Sequence, residues 1–194
     1  IAASSEPAMF LRACGGRDAA ALQRELAVEG VVCAETAHPL VLRCDSGAPM
    51  RTKAFTEGAF VVQDPTAVRA AESVGAAPGM TIVDLCAAPG TKATLLAERV
   101  RPDGVVFAFD PDPSRRARIE ENAARLRLQP FLRVVADSKD LPIADAVLAD
   151  VPCSNTGVLA RRVEVRRRIQ PRTTNELVPL QRRLLEQALS LTRA

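Results

Sequence analysis

The five residues Asp150-Val151-Pro152-Cys153-Ser154 carry the densest chemistry in the chain. A carboxylate, a rigid proline and a thiol in that order can grip a planar ring and attack it. They follow the short apolar run Ala146-Val147-Leu148-Ala149, so acid and thiol fall where a buried strand emerges into a loop. A second such place is Asp84-Leu85-Cys86-Ala87-Ala88-Pro89-Gly90-Thr91-Lys92. Its small residues and Gly90 would let a ligand close to the backbone, and the amides opening the next helix favour an anion. Neither G-x-G-x-x-G nor a Walker lysine pattern is present, so a dinucleotide or a nucleoside triphosphate is not indicated.

Asp110 and Asp137 each close a further apolar run. A carboxylate one strand and one helix beyond a glycine turn suits ribose hydroxyls, although Asp110 could instead be an ordinary helix cap before Pro111. Together Asp110, Asp137 and Asp150 point to a shared nucleoside ligand. S-adenosylmethionine fits, having a ribose, an adenine and an amino-acid carboxylate but no phosphate. Its carboxylate would meet the amides of residues 90–92, its ribose Asp110 and its adenine amine Asp137.

The elements that must position these residues form two blocks. Residues 1–54 read as a small α/β subdomain of β-α-β-β form, with strands at 9–14, 31–36 and 40–44 and a helix at 17–29 stopped by Gly30. This block shows no chemistry. Cys14, Cys33 and Cys44 read as small core residues, and His38 is given no role. Residues 55–194 begin with a strand at 57–64, after which Asp64-Pro65 opens a helix as cap and first residue. Strands at 81–87, 105–110, 133–137 and 145–150 then alternate with helices at 91–100, 113–128 and 174–192. Such alternation means parallel strands with right-handed crossovers, hence an open doubly wound sheet whose ligands bind outside the carboxyl ends of its strands.

Composition narrows the class. Hydrophobic residues make up 47% of 194, yet aromatics only 3%, with no Trp or Tyr, so the core must rest on Ala, Val, Leu and Ile. No apolar run approaches the ~20 residues that cross a bilayer, and the first residues lack the basic and hydrophobic regions of a secretory signal. Five cysteines without metal-ligand spacing, and a single histidine, argue against a disulfide scaffold or a zinc site and for a reducing cytoplasm. The first residue is Ile1, which suggests a piece of a longer polypeptide. Charge is unevenly spread: residues 1–54 are neutral, 55–160 carry −3, and 161–194 carry +6 from nine arginines against three glutamates. A solvated helix face is one reading of that run. The planar fork of Arg161, Arg162, Arg166, Arg167 and Arg168 also suits the phosphates and bases of RNA.

Taken in order, Gln63-Asp64-Pro65, the run from Asp84 to Lys92, Asp110 with Arg115 and Asn122, Asp137, and Asp150 to Ser154 with Gly157 resemble one family. It is the Sun (Fmu)/nucleolar-protein family of S-adenosylmethionine-dependent RNA cytosine-5 methyltransferases, nearest to its bacterial ribosomal-RNA branch. The resemblance covers essentially the whole chain and rests on a specific pair, Cys-Ala-Ala-Pro-Gly and Asp-x-Pro-Cys. It implies a Rossmann-like class I methyltransferase core behind a small α/β subdomain. It further implies that Cys86, Ala87, Ala88, Pro89, Gly90, Thr91 and Lys92 line the cofactor, and that Asp110 and Asp137 hold ribose and adenine. Asp150 would lie between the cofactor's methionine end and the target base. In the family the attacking thiol comes from a later Thr-Cys-Ser segment, and the Pro-Cys thiol, here Cys153, assists product release.

Three positions depart from the family pattern. Thr91 replaces the second glycine of Gly-Gly-Lys, Val163-Glu164-Val165-Arg166 lacks the usual proline and tryptophan, and no Thr-Cys-Ser occurs. The expectation is therefore a methyltransferase core with an incomplete sheet, impaired alone, acting on single-stranded or looped RNA. A methyltransferase for another substrate, or a non-catalytic RNA-binding module that kept the fold, is the alternative.

Overall fold

The computed structural model describes residues 8–153 and 171–193. Strands β1 (Met9–Ala13), β2 (Val32–Glu35), β3 (Val41–Ser46) and β4 (Phe60–Val62) form an antiparallel sheet in the order β2-β3-β1-β4. Helix α1 (Ala19–Val28) starts where the side chain of Asp18 accepts a hydrogen bond from the Ala21 amide, and it buries Ala19, Leu22 and Leu26. The i, i+4 spacing of the two leucines puts both on the sheet, at about 1.5–3 kcal/mol for each buried side chain.

The first sheet extends past the boundary expected at residue 54. The strand expected to open the second block is β4, and it pairs with β1 (Leu11 with Val62, Ala13 with Phe60). Before it runs the short helix α2 (Lys53–Thr56), capped by the hydroxyl of Thr52. A strand's own alternation does not encode its partner, so sequence pattern alone leaves β4 unassigned between the two sheets.

Helix α3 (Pro65–Glu72), capped by Asp64 with Pro65 in its first turn, leads into the second sheet. Its strands β5 (Thr81–Asp84), β6 (Val105–Phe109), β7 (Leu132–Val135) and β8 (Ala146–Leu148) are parallel, in the order β7-β6-β5-β8. The crossover helices are α4 (Thr91–Val100) and α5 (Pro113–Arg125), and α6 (Pro171–Leu191) follows β8. Alternate residues of each strand serve opposite faces. Ile82, Val106 and Ala108 pack with Ala93, Leu96, Ala97 and Ile119 of α4 and α5, whereas Val83, Leu85 and Val135 pack with Ala188 and Leu191 of α6. This is the doubly wound, Rossmann-like arrangement. The chain turns back between β5 and β8, and that switch point is where the carboxyl ends of strands leave a crevice.

The two sheets are joined through α4 and α5. Arg12, fully buried on β1, donates from Nε to Gln63 Oε1 (2.7 Å), from Nη2 to Thr94 Oγ1 (3.1 Å) and from Nη1 to Glu98 Oε2 (2.5 Å). Glu98 also accepts from the Gly15 amide at 2.7 Å. On α5, Arg125 donates to the carbonyls of Phe55 and Phe60 and lies 4.0 Å over the Phe55 ring. Gly58 makes that approach possible, since a Cβ there would stand 2.4 Å from the Arg125 carbonyl oxygen. His38 is nearly buried and bonds Glu72 of α3 through Nε2 at 3.0 Å, so it is a tie between the two units. Among the described residues no helix is long and apolar enough to cross a membrane.

Candidate active site

At the switch point a cavity of about 730 Å³ opens between the carboxyl ends of the second sheet and α6. The loop after β5 enters it through Cys86 and Ala88, the end of β6 and the loop after it through Phe109, Asp110 and Pro111, α5 through Arg115, and the loop after β8 through Asp150, Val151, Pro152 and Cys153. The wall opposite is Leu180, Arg183, Leu184 and Gln187 of α6. A volume of this size, part apolar and ringed by a few polar groups, matches the usual small-molecule site.

Asp110 is fully buried at the floor. Its Oδ2 accepts from the Ala88 amide (3.3 Å) and its Oδ1 from the Asp112 amide (3.1 Å), while Arg115 Nη2 stands 3.5 Å from Oδ2. The cap of α5 is Asp112, which accepts from the Ser114 amide and hydroxyl. Those bonds hold the Asp112 carboxyl below its ordinary pKa. Asp110 is therefore not spent on capping, and the alternative left open by Pro111 does not apply.

Of the seven residues expected to line the cofactor in the turn after β5, Cys86 and Ala88 line the cavity. The Ala87 amide bonds Phe109 O, Pro89 O accepts from Asn122, and Thr91 opens α4. Gly90 adopts φ +95°, and a Cβ there would lie 3.0 Å from Ile119 Cγ2 and 3.2 Å from Ile119 Cα. The left-handed backbone and the close passage of α5 thus require a glycine here. Gly90→Ala should cost about 1–3 kcal/mol of folding stability, read from the urea midpoint. A midpoint within error of the parent would show that the turn relaxes freely.

Lys92 reaches across the switch point and donates to Asp150 Oδ2 at 2.6 Å. This pair fixes the half-exposed Asp150 carboxylate at the rim, beside the exposed Cys153 thiol. Pro152 is held from the other side by Gln181 of α6, which donates to its carbonyl at 2.9 Å. The cavity's second thiol is of another kind. Burial, and then the neighbouring Asp84, Asp110 and Asp150, push Cys86 up to about 11, which keeps it protonated and a poor nucleophile.

The Oδ1 of Asp137 accepts from the Lys139 amide at 3.0 Å and caps the short turn Ser138–Asp140, of which Ser138 lines the cavity. The arginines Arg161, Arg162, Arg166, Arg167 and Arg168, with Ser154 and Gly157, lie outside the described residues. From the same basic run, Arg183 joins the cavity wall and Arg182 pairs with Glu186. Sequence reasoning missed the α6 wall altogether, as no motif marks it. It also passed over Asp84, whose signal was a carboxylate inside the apolar run Thr81-Ile82-Val83-Asp84-Leu85. Asp84 is buried and its pKa is raised to about 7, chiefly by burial. Among the described residues no group of three His, Cys, Asp or Glu side chains could hold a metal ion.

The comparisons with known proteins agree with this geometry. The model of the family described as 16S rRNA methyltransferase RsmB/F matches residues 74–194. The ribosomal RNA small subunit methyltransferase B of Pasteurella multocida is 33% identical over 193 residues, covering 93% of this chain and 43% of that protein. Its counterpart from Cronobacter sakazakii is 35% identical over 157 residues, covering 77% and 36%. The chain thus spans less than half the length of these relatives. Among solved structures, PH0851 is 30% identical with a TM-score of 0.90, covering 97% of this chain and 45% of its own. NSun6 from Pyrococcus horikoshii, 18% identical with a TM-score of 0.85 over 98% of this chain and 74% of its own, shares the fold.

Proposed function

Because the chain belongs to the RsmB/F family of 16S rRNA methyltransferases, we propose that its cavity holds S-adenosylmethionine and presents the methyl group to C5 of a cytosine in single-stranded or looped ribosomal RNA. The observation that carries this reading is that one cavity joins a buried strand-end carboxylate, Asp110, to the Asp150–Cys153 rim. The residues fit the cofactor. Asp110 offers an acceptor to ribose hydroxyls, Phe109 and Pro111 offer apolar surface to a purine, and Asp137 sets the turn that brings Ser138 to the adenine end. Gly90, as the cap of α4, brings no side-chain acceptor of its own to the first-turn amides, which suits a carboxylate there. Bound there, the cofactor supplies an electrophilic methyl group.

The chain's own residues handle the base. Asp150, pinned by Lys92, sits between the cofactor's methionine end and the ring, and can accept from the exocyclic amine of cytosine. Cytosine C5 is a poor nucleophile until a thiolate adds at C6. The resulting enamine takes the methyl group, and loss of the C5 proton then expels the sulfur. In the proposed scheme Cys153 assists that last step, and the attacking thiol is the Thr-Cys-Ser cysteine, a sequence these 194 residues do not contain. Cys86, held protonated, does not compete. The ring must leave its stack to be reached, which single-stranded RNA permits at least cost. Arg161, Arg162, Arg166, Arg167 and Arg168 are proposed to meet the phosphates.

Calorimetry and a methyl-transfer assay test this together. The 194 residues should bind S-adenosylmethionine, and should bind a 16S rRNA transcript with an affinity that falls steeply with salt. Alone, they should transfer little methyl to it. Transfer that survives Cys153→Ala, or label recovered anywhere but as 5-methylcytidine, would overturn the scheme. Transfer abolished by Cys153→Ala would instead make Cys153 the attacking thiol.

A further inference from the structure

Beneath the cavity floor lies a carboxylate that the scheme above leaves without a role. Asp84 ends β5, is 1% exposed, and among the described residues neither of its oxygens has a well-formed hydrogen bond, the Cys86 amide offering only a weak one. A buried polar group in that condition is costly and rare in a native fold. Its position is fixed by the sheet. Asp84 is in register with Ala108 on β6 and Leu148 on β8, each two residues short of the aspartate that ends its own strand run. Asp84 is thus set between Asp110 and Asp150, at the switch point.

The charges that face it come from every neighbouring element. Lys92 of α4 is already committed to Asp150, and Arg115 of α5 lies beside Asp110. Arg183 of α6 lines the same cavity. The proposed cofactor brings a further cation to these carboxylates: its amino-acid end is a zwitterion and its sulfur is a cation, so the donor carries a net +1. The product, having lost the methyl group, carries none.

We infer that Asp84 is the specificity residue that reads this difference, favouring the sulfonium donor and loosening the neutral thioether product. The inference rests on the S-adenosylmethionine reading of the cavity. A buried charge acts over several ångströms because little water screens it, and at an effective dielectric of about 20 a neighbouring unit charge changes an equilibrium roughly tenfold or more. No direct contact is needed, which is consistent with Asp84 lying below the lining. The titration of Asp84 agrees. Burial raises its carboxyl to about 7, Lys92 and the Cys86 amide opposing the rise and Asp150 and Asp110 adding to it. Near neutral pH it is partly protonated, and an arriving cation favours the ionised form. A proton then passes from the carboxyl to the buffer as the donor binds.

Titration calorimetry with S-adenosylmethionine and S-adenosylhomocysteine tests this without turnover. At pH 7, in two buffers of different ionisation enthalpy, the donor should release a fraction of a proton that the product does not. Asp84→Asn, close in shape, should weaken the donor about tenfold relative to the product and abolish the release. An unchanged ratio of the two dissociation constants, with both ligands bound, overturns the inference. Should the variant fail to fold, the unsubstituted chain still decides: between pH 6 and pH 8 the preference for donor over product must rise as Asp84 ionises, and a flat ratio refutes it. If the unsubstituted chain binds neither ligand, the cofactor reading itself falls and takes this inference with it.

Discussion

Arg12→Ala should destabilise the fold by about 3–5 kcal/mol, the range for removing one partner of a buried ion pair. The guanidinium is fully buried and serves three acceptors, Gln63 just after β4 and Thr94 and Glu98 on α4. Removing it strands the Glu98 carboxylate, which keeps only the Gly15 amide, and leaves Gln63 with both ends of its amide short of partners, since its Nε2 already has none among the described residues. A void of arginine size adds to the loss. Urea denaturation should show a much lower midpoint at nearly unchanged slope. Arg12→Met with Glu98→Gln should recover part of the loss, because the stranded charge goes with its partner. A loss below about 1 kcal/mol for the single change would mean that water enters the gap, and that the two sheets are not held together here.

Asp110→Ala should weaken S-adenosylmethionine binding by about 1–3 kcal/mol, or roughly 5–150-fold, as expected for lost charge-assisted hydrogen bonds. The carboxylate also braces the loops it touches, through the amides of Ala88 and Asp112, so some stability will be lost as well. The two effects separate with a cofactor analogue lacking one ribose hydroxyl. If Asp110 receives the ribose, the analogue should bind the parent weakly and bind the variant no worse than S-adenosylmethionine does. An unchanged dissociation constant in Asp110→Ala would remove the ribose assignment.

The strand ends were legible because their chemistry is local. A short apolar run followed by an acid reads the same in sequence and in space, so Asp110, Asp150 and Cys86 could be placed at one cavity from order alone. The packing demand on Gly90 was not legible, since only the approach of Ile119 from α5 reveals what a side chain there would meet. That Asp137 also caps a turn was not legible, since a strand-end carboxylate and a turn cap look alike until the Lys139 amide is seen at its Oδ1. Long-range partnerships were illegible. Arg12 looks like an outward-facing residue of β1, and its acceptor Glu98 is 86 residues away. Leu180, Leu184 and Gln187 close the cavity from a helix whose sequence says only that it is amphipathic.

The strand order also dictates when, during synthesis, this site can exist. The first sheet, β5, β6 and β7 are all complete once residue 135 has been made, and β5, β6 and β7 pair in the order of translation. β8 instead docks on β5 from the far side, tied by Asp145 to Thr81 across 64 residues. Such distant closure is slow beside local pairing. A nascent chain is thus expected to carry β5, β6 and β7, with Asp84, Cys86 and Asp110, before Asp150, Cys153 and α6 arrive to enclose them. The ligand-holding floor is laid first, and the reactive rim is the last part to be assembled.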